Sequence, residues 1–100
     1  MEYYIETLRK GYLIGLDPEI IKIHGGAKEA FCEYLRLISS REYGHLTLRQ
    51  KAGNFHGLIS EWFYSDGDAP FWYWGHDFSY QPFCSALGFD PRKVNTTKRV

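Results

Sequence analysis

Residues 47–63 read TLRQKAGNFHGLISEWF, and the spacing of their apolar side chains decides the fold class. Leu48, Ala52, Phe55, Ile59, Trp62 and Phe63 recur at helical intervals, the pattern of one buried face on an amphipathic helix. Thr47-Leu48-Arg49-Gln50 fits a capping box, in which a threonine hydroxyl and a glutamine side chain satisfy the first amides reciprocally. Gly53 and Gly57 each disfavour a helix by about 1 kcal/mol against alanine. Something close-packed is therefore expected against that glycine face.

Upstream, Ala27, Ala30, Phe31, Tyr34, Leu35 and Ile38 form a second helical stripe, with Lys28, Glu29, Glu33 and Arg36 elsewhere on the wheel. Asp17-Pro18 reads as an N-cap followed by proline in the first turn. It would start a short helix, EIIKIH, that stops at Gly25-Gly26. Residues 2–13 carry Tyr4, Ile5, Leu8 and Tyr12 at helical spacing. Downstream, residues 65–70 have turn chemistry throughout, and Phe71–Trp74 is a run of four aromatics that suits a brief strand or an irregular loop. Asp77 or Ser79 caps a further helix with Pro82 in its first turn, Phe83, Leu87 and Cys84 facing inward, and Gly88 as the left-handed C-terminal residue. Asp90-Pro91 starts a last helix. The expectation is a single domain, residues 1–100, built as an all-α bundle of four to five helices with an aromatic loop and a C-terminal helix-turn-helix-like pair. A small α+β fold with residues 12–16 and 71–74 as strands is the second choice.

The chain has 100 residues, of which 18% are aromatic, and its net charge is zero. Neutrality argues against a general nucleic-acid coat and against a membrane-surface protein. No apolar run approaches a bilayer span, and the N-terminus MEYYIETLRKG lacks the apolar segment of a signal peptide. A soluble, cytoplasmic protein with no membrane partner is expected. Cys32 and Cys84 lie in apolar helical contexts and read as reduced core cysteines.

The C-terminal helix pair carries the first functional reading. Cys84 stands four residues before Gly88, Leu87 directly before it and Val94 six after it. That register lets two short helices cross closely about a glycine turn. Arg92 and Lys93 then sit in the first turn of the second helix, where base-edge contacts arise. Lys98 and Arg99 are placed to take phosphates. Four of the twelve basic residues fall in the final nine positions. A basic C-terminus also suits the helix dipole without any DNA, and Thr97 stands where an apolar residue usually locks such a helix.

The residues Trp62, Ser65, Asp66, Phe78, Ser79, Tyr80, Cys84, Leu87, Gly88, Asp90 and Pro91 carry a resemblance. This portion resembles small, mostly uncharacterised proteins of bacterial phages and prophages whose C-terminal halves run Ser-Asp-Asp, Phe-Ser-Phe, then Cys-Glu-x-Leu-Gly-Leu-Asp-Pro. The resemblance covers about a third of the chain. Gln81-Pro82, Ser85 and the segment FWYWGHD depart from it. It implies a phage origin and a helical end, and no particular activity.

The aromatic run carries the second reading. Trp72, Tyr73 and Trp74, flanked by Asp66, Asp68 and Asp77, suit the basic surface of a protein partner, where tryptophan and tyrosine often carry binding energy. Bases would stack on such rings only beside cations. Residues 61–78 instead hold four acids and neither lysine nor arginine. Core packing of the rings is the plainer alternative. His24, His45, His56 and His76 show no zinc spacing, and neither a nucleophile elbow nor a phosphate loop is present. The expectation is a protein that is not an enzyme and takes no cofactor. It would bind double-stranded DNA or the transcription apparatus through Arg92, Lys93, Lys98 and Arg99. Alternatively, it would inhibit a host protein of the transcription or defence machinery through Trp72, Tyr73, Trp74, Asp66 and Asp68.

Overall fold

In the computed structural model, residues 2–9, 18–64, 71–75 and 78–95 are described, residues 94 and 95 without their side chains. The fold is α+β, which overturns the all-α bundle. Its elements in chain order are β1 (Glu2–Arg9), β2 (Glu19–Ile23), α1 (Ala27–Ser40), β3 (Tyr43–Ala52), β4 (Phe55–Phe63), β5 (Phe71–Trp74), α2 (Tyr80–Leu87) and α3 (Pro91–Asn95). The strands form one antiparallel sheet in the order β2-β1-β3-β4-β5. β2 and β3 flank β1 and run parallel to one another, joined by the α1 crossover.

Residues 47–63 are the centre of this sheet and no helix. Lys51 pairs with His56 and Ala52 with Phe55, leaving Gly53-Asn54 as a two-residue turn. Gly53 has φ 63°, which a glycine at the first position of such a turn adopts without strain. Thr47 caps nothing; it sits buried in mid-strand opposite Glu6 and Glu61. The expected close neighbour exists at Gly57: a Cβ built there would lie 1.5 Å from Ser79 Oγ and 2.8 Å from Ser79 Cβ. The start of α2 thus rests on bare β4 backbone.

Two other expected helices are strands. Residues 2–9 alternate, with Tyr3, Ile5 and Thr7 inward, and EIIKI pairs along β1 as an outer strand. Pro18 precedes that strand, and Asp17 and the residue 12–16 strand of the second choice lie outside the described residues. The other half of that choice, Phe71–Trp74, is a strand.

The three remaining helices stand where they were expected, although Ser79 makes no side-chain capping bond at the start of α2 and Asp77, the other expected cap, lies outside the described residues. In α1, Ala27, Ala30, Tyr34 and Leu37 are buried, and Glu29 accepts the Gly26 N–H at 2.8 Å. Backbone hydrogen bonds hold this carboxyl below its ordinary range, as expected at a helix start. Cys32 is exposed on α1, which corrects its placement in the core, while Cys84 is half-buried. Both helices α1 and α2 cover the same sheet face. Tyr3, Ile5, Leu46, Leu48, Ile59, Trp62 and Trp74 pack there against Tyr34, Leu37, Tyr80, Phe83 and Leu87. No helix among the described residues is long and apolar enough to cross a membrane.

Candidate functional site

The run Phe71–Trp74 separates its rings by strand alternation. Trp72 opposes Trp62 and Trp74 opposes Ser60 on the helix-covered face; Phe71 opposes Phe63 and Tyr73 opposes Glu61 on the face away from α1 and α2, bare of helices among the described residues. Trp74 is 7% exposed, whereas Phe71 is 58% exposed and Tyr73 38%. Trp74 packs against Phe31, Tyr34 and Phe83 and so belongs to the core. Of the three rings expected to meet a partner, Tyr73 is the one that faces outward. Asp66 and Asp68 lie outside the described residues.

A buried serine holds the inward rings. Ser60 Oγ donates to the Tyr73 carbonyl at 3.0 Å and accepts from Trp72 Nε1 at 3.1 Å. The Tyr34 hydroxyl lies 2.9 Å from the same oxygen. A hydroxyl has one proton and two lone pairs, so Tyr34 is the second donor. Burial pushes the Tyr34 phenol well above its ordinary range and keeps that proton in place. This three-way contact ties α1, β4 and β5 together and sets the register that leaves Phe71 and Tyr73 outside.

On the bare face the outward rings continue onto β3. Phe63 lies 5.9 Å from Phe71 and stacks on His45 with centroids 4.3 Å apart and planes 10° from parallel. His45 Nε2 is 3.2 Å from Glu61 Oε2, and Arg49 Nε donates to Glu6 Oε1 at 3.1 Å. The patch is therefore an aromatic strip with Glu61 at its centre, beside β5 at the sheet edge. Sequence reasoning missed His45, Glu61 and Phe63 because it placed Glu61 and Phe63 on a helix and weighed His45 only as a metal ligand. The alternation of His45 to Lys51 was the available signal.

The C-terminal pair has the expected turn. Gly88 has φ 98° and its N–H meets the Cys84 carbonyl at 2.8 Å. Asp90 Oδ1 accepts the Arg92 N–H at 3.0 Å and caps α3. The Tyr80 hydroxyl also donates to Asp90 Oδ1. That bond, then Arg92, hold the Asp90 carboxyl below its ordinary range, while burial and then Asp90 push the Tyr80 phenol up. Arg92 lies over the Tyr80 ring, 4.5 Å from its centroid, with Nη2 3.4 Å from Asp90 Oδ2. Arg92 thus latches α3 to α2 and is half-buried, where free exposure was expected. Lys93 is exposed. Lys98, Arg99, Thr97 and the Val94 side chain lie outside the described residues.

Comparison with protein-family models, with curated proteins and with solved structures gives no match. Among the described residues, no three His, Cys, Asp or Glu side chains gather as metal ligands.

Proposed function

We propose that this chain is a non-enzymatic binding protein that engages a basic surface of a protein partner through Phe63, Phe71 and Tyr73 at the β4–β5 edge. The carrying observation is the splitting of the aromatic run, which leaves two rings exposed beside Phe63 and Glu61. Aromatic anchors near an acid suit a partner that contributes arginine or lysine. An edge strand also offers unpaired backbone groups to an incoming segment. The resemblance to phage-borne proteins fits a cytoplasmic accessory protein whose partner belongs to the host's transcription or defence machinery.

The second reading is DNA binding through α2 and α3. The Gly88 turn and the exposed Lys93 favour it. Using Arg92 on a base would require breaking its contacts with Asp90 and Tyr80.

A photo-crosslinking side chain placed at position 73, and separately at position 93, tests both in cells. The proposal expects a discrete protein adduct from position 73 that Phe71→Ala weakens. Nucleic-acid adducts from position 93, with none from position 73, would replace it by the DNA reading.

A further inference from the structure

At the end of the bare face away from β5, the sheet carries a cleft of about 570 Å³. Its size is that of a small-molecule site. Glu2, Tyr4 and Glu6 from β1, Ile20 and Lys22 from β2, His24 after β2, Lys51 from β3 and His56 from β4 line it. The register explains the convergence: Tyr4 opposes Lys22, and Lys51 opposes both Glu2 and His56. Nitrogen-bearing side chains from three strands and one turn therefore meet in one concavity.

The acids leave this cleft a cationic character. Glu6 is engaged by Arg49 at 3.1 Å, so it is largely neutralised. Glu2 remains against Lys22 and Lys51. Among the described residues the side chains of Lys22, Lys51 and His24 make no hydrogen bond or ion pair. Tyr4 Oη lies 2.9 Å from His56 Nδ1. Burial, then Glu6, push the Tyr4 phenol up, and the phenol can donate its proton to Nδ1 of the tautomer protonated at Nε2. In that tautomer His56 Nε2 is a donor for a ligand. Ile20, 49% exposed, and the Tyr4 ring supply an apolar wall. The nearest helix start offers no competing anion site, because Glu29 already fills it.

We infer that this cleft binds a phosphate-bearing small molecule, with Lys22, Lys51 and His56 on the phosphate and its ring or apolar body against Tyr4 and Ile20. Two ammonium groups and an imidazole donor match the charge and acceptor oxygens of a phosphomonoester. The inference is independent of the β4–β5 patch, since on β4, the strand both use, His56 and Phe63 stand at opposite ends, about 20 Å apart at the rise of a strand.

The test is titration of the intact chain with inorganic phosphate, phenyl phosphate and phenol, followed by amide and imidazole NMR shifts. Phosphate should shift residues around Lys22, Lys51 and His56 saturably. Phenyl phosphate should bind the same residues roughly tenfold more tightly, with phenol far weaker than either. Lys22→Gln with Lys51→Gln should weaken phenyl phosphate by at least roughly tenfold at unchanged melting temperature. Tyr4→Phe should weaken it a few-fold, by freeing the His56 tautomer. Absence of saturable phosphate shifts, or affinity unchanged in the double lysine variant, would overturn the site. Phosphate and phenyl phosphate binding equally would overturn the apolar half of it.

Discussion

Ser60→Ala should destabilise this protein far more than the loss of one oxygen suggests. Ser60 is fully buried and serves three partners: the Tyr73 carbonyl, Trp72 Nε1 and the Tyr34 hydroxyl. Without it, Trp72 can turn only toward the nearby Tyr34 oxygen, a contact that already depresses the phenol slightly. The Tyr34 proton and one acceptor site of Tyr73 are then orphaned. Each unsatisfied buried group costs about 1–3 kcal/mol. Because Tyr73 is partly exposed, its carbonyl sits at the low end. The sum is about 2–4 kcal/mol, a large part of the roughly 5–15 kcal/mol that holds a small domain together. Tyr34→Phe alone removes a donor and leaves Ser60 its other partners, so it should cost only about 1 kcal/mol. In the Ser60→Ala background the same change removes the orphaned proton and should cost close to nothing. Urea unfolding of the four proteins, followed by tryptophan fluorescence and circular dichroism, gives the coupling energy, expected near 1 kcal/mol or more. Ser60→Ala within about 0.5 kcal/mol of the parent, or strictly additive costs, would refute the three-way bond.

Gly57→Ala should destabilise by about 1–3 kcal/mol through overlap with Ser79, whereas on a helix it would stabilise by about 1 kcal/mol; the sign of the melting shift decides. Trp74→Ala should cost about 3–5 kcal/mol as a lost core ring, and Phe71→Ala about 0.5 kcal/mol or less as a surface change, both measured by urea midpoint. Asp90 has a folded pKa below its unfolded one, so its contribution is present above the carboxylate range and lost as pH falls through the folded value. Asp90→Asn should therefore lie below the parent in melting temperature at neutral pH, with the gap closing in acid. A gap that persists or widens in acid would reverse the sign of that linkage.

Three of the expected helices were legible in this sequence, although agreement of an end signal with a stripe was not sufficient, since the Thr47–Gln50 capping pattern and the stripe behind it also agreed and lie on strands. The alanine-rich stripe marks α1; Gly88, Asp90 and Pro91 mark the last two helices. The β3–β4 hairpin was illegible for a different physical reason. Strands with polar residues on their inner face do not show clean hydrophobic alternation. Gln50 and Ser60 are buried, and inward Gly57 contributes no side chain. Ile59 is the extra residue where the register slips between Leu48/Ser60 and Arg49/Leu58, and a bulge of that kind shifts the phase of everything beyond it. Leu48, Ala52, Phe55, Ile59 and Trp62 then fall into helical intervals by accident. The counter-signal was local: Leu46 and Leu48 alternate with His45, Thr47 and Arg49, and Gly53-Asn54 is a hairpin dipeptide.

The same alternation settles how one short aromatic run serves both the core and the surface. Treated as a loop, Phe71–Trp74 had to be buried or presented as a block. Treated as a strand, it must divide, and the hydrogen bonds of Ser60 determine which rings go where. Trp72 is bonded inward, so Phe71 and Tyr73 have no place but the bare face, opposite Phe63 and Glu61. A slip of one residue would bury Phe71 and Tyr73 and expose both indoles. Trp72 would then have no buried oxygen for its N–H, and Trp74 would leave Phe31, Tyr34 and Phe83. The outward patch is therefore a consequence of the inward packing. Substitutions at Ser60 should disturb the binding proposed at Tyr73 even though Ser60 itself is fully buried.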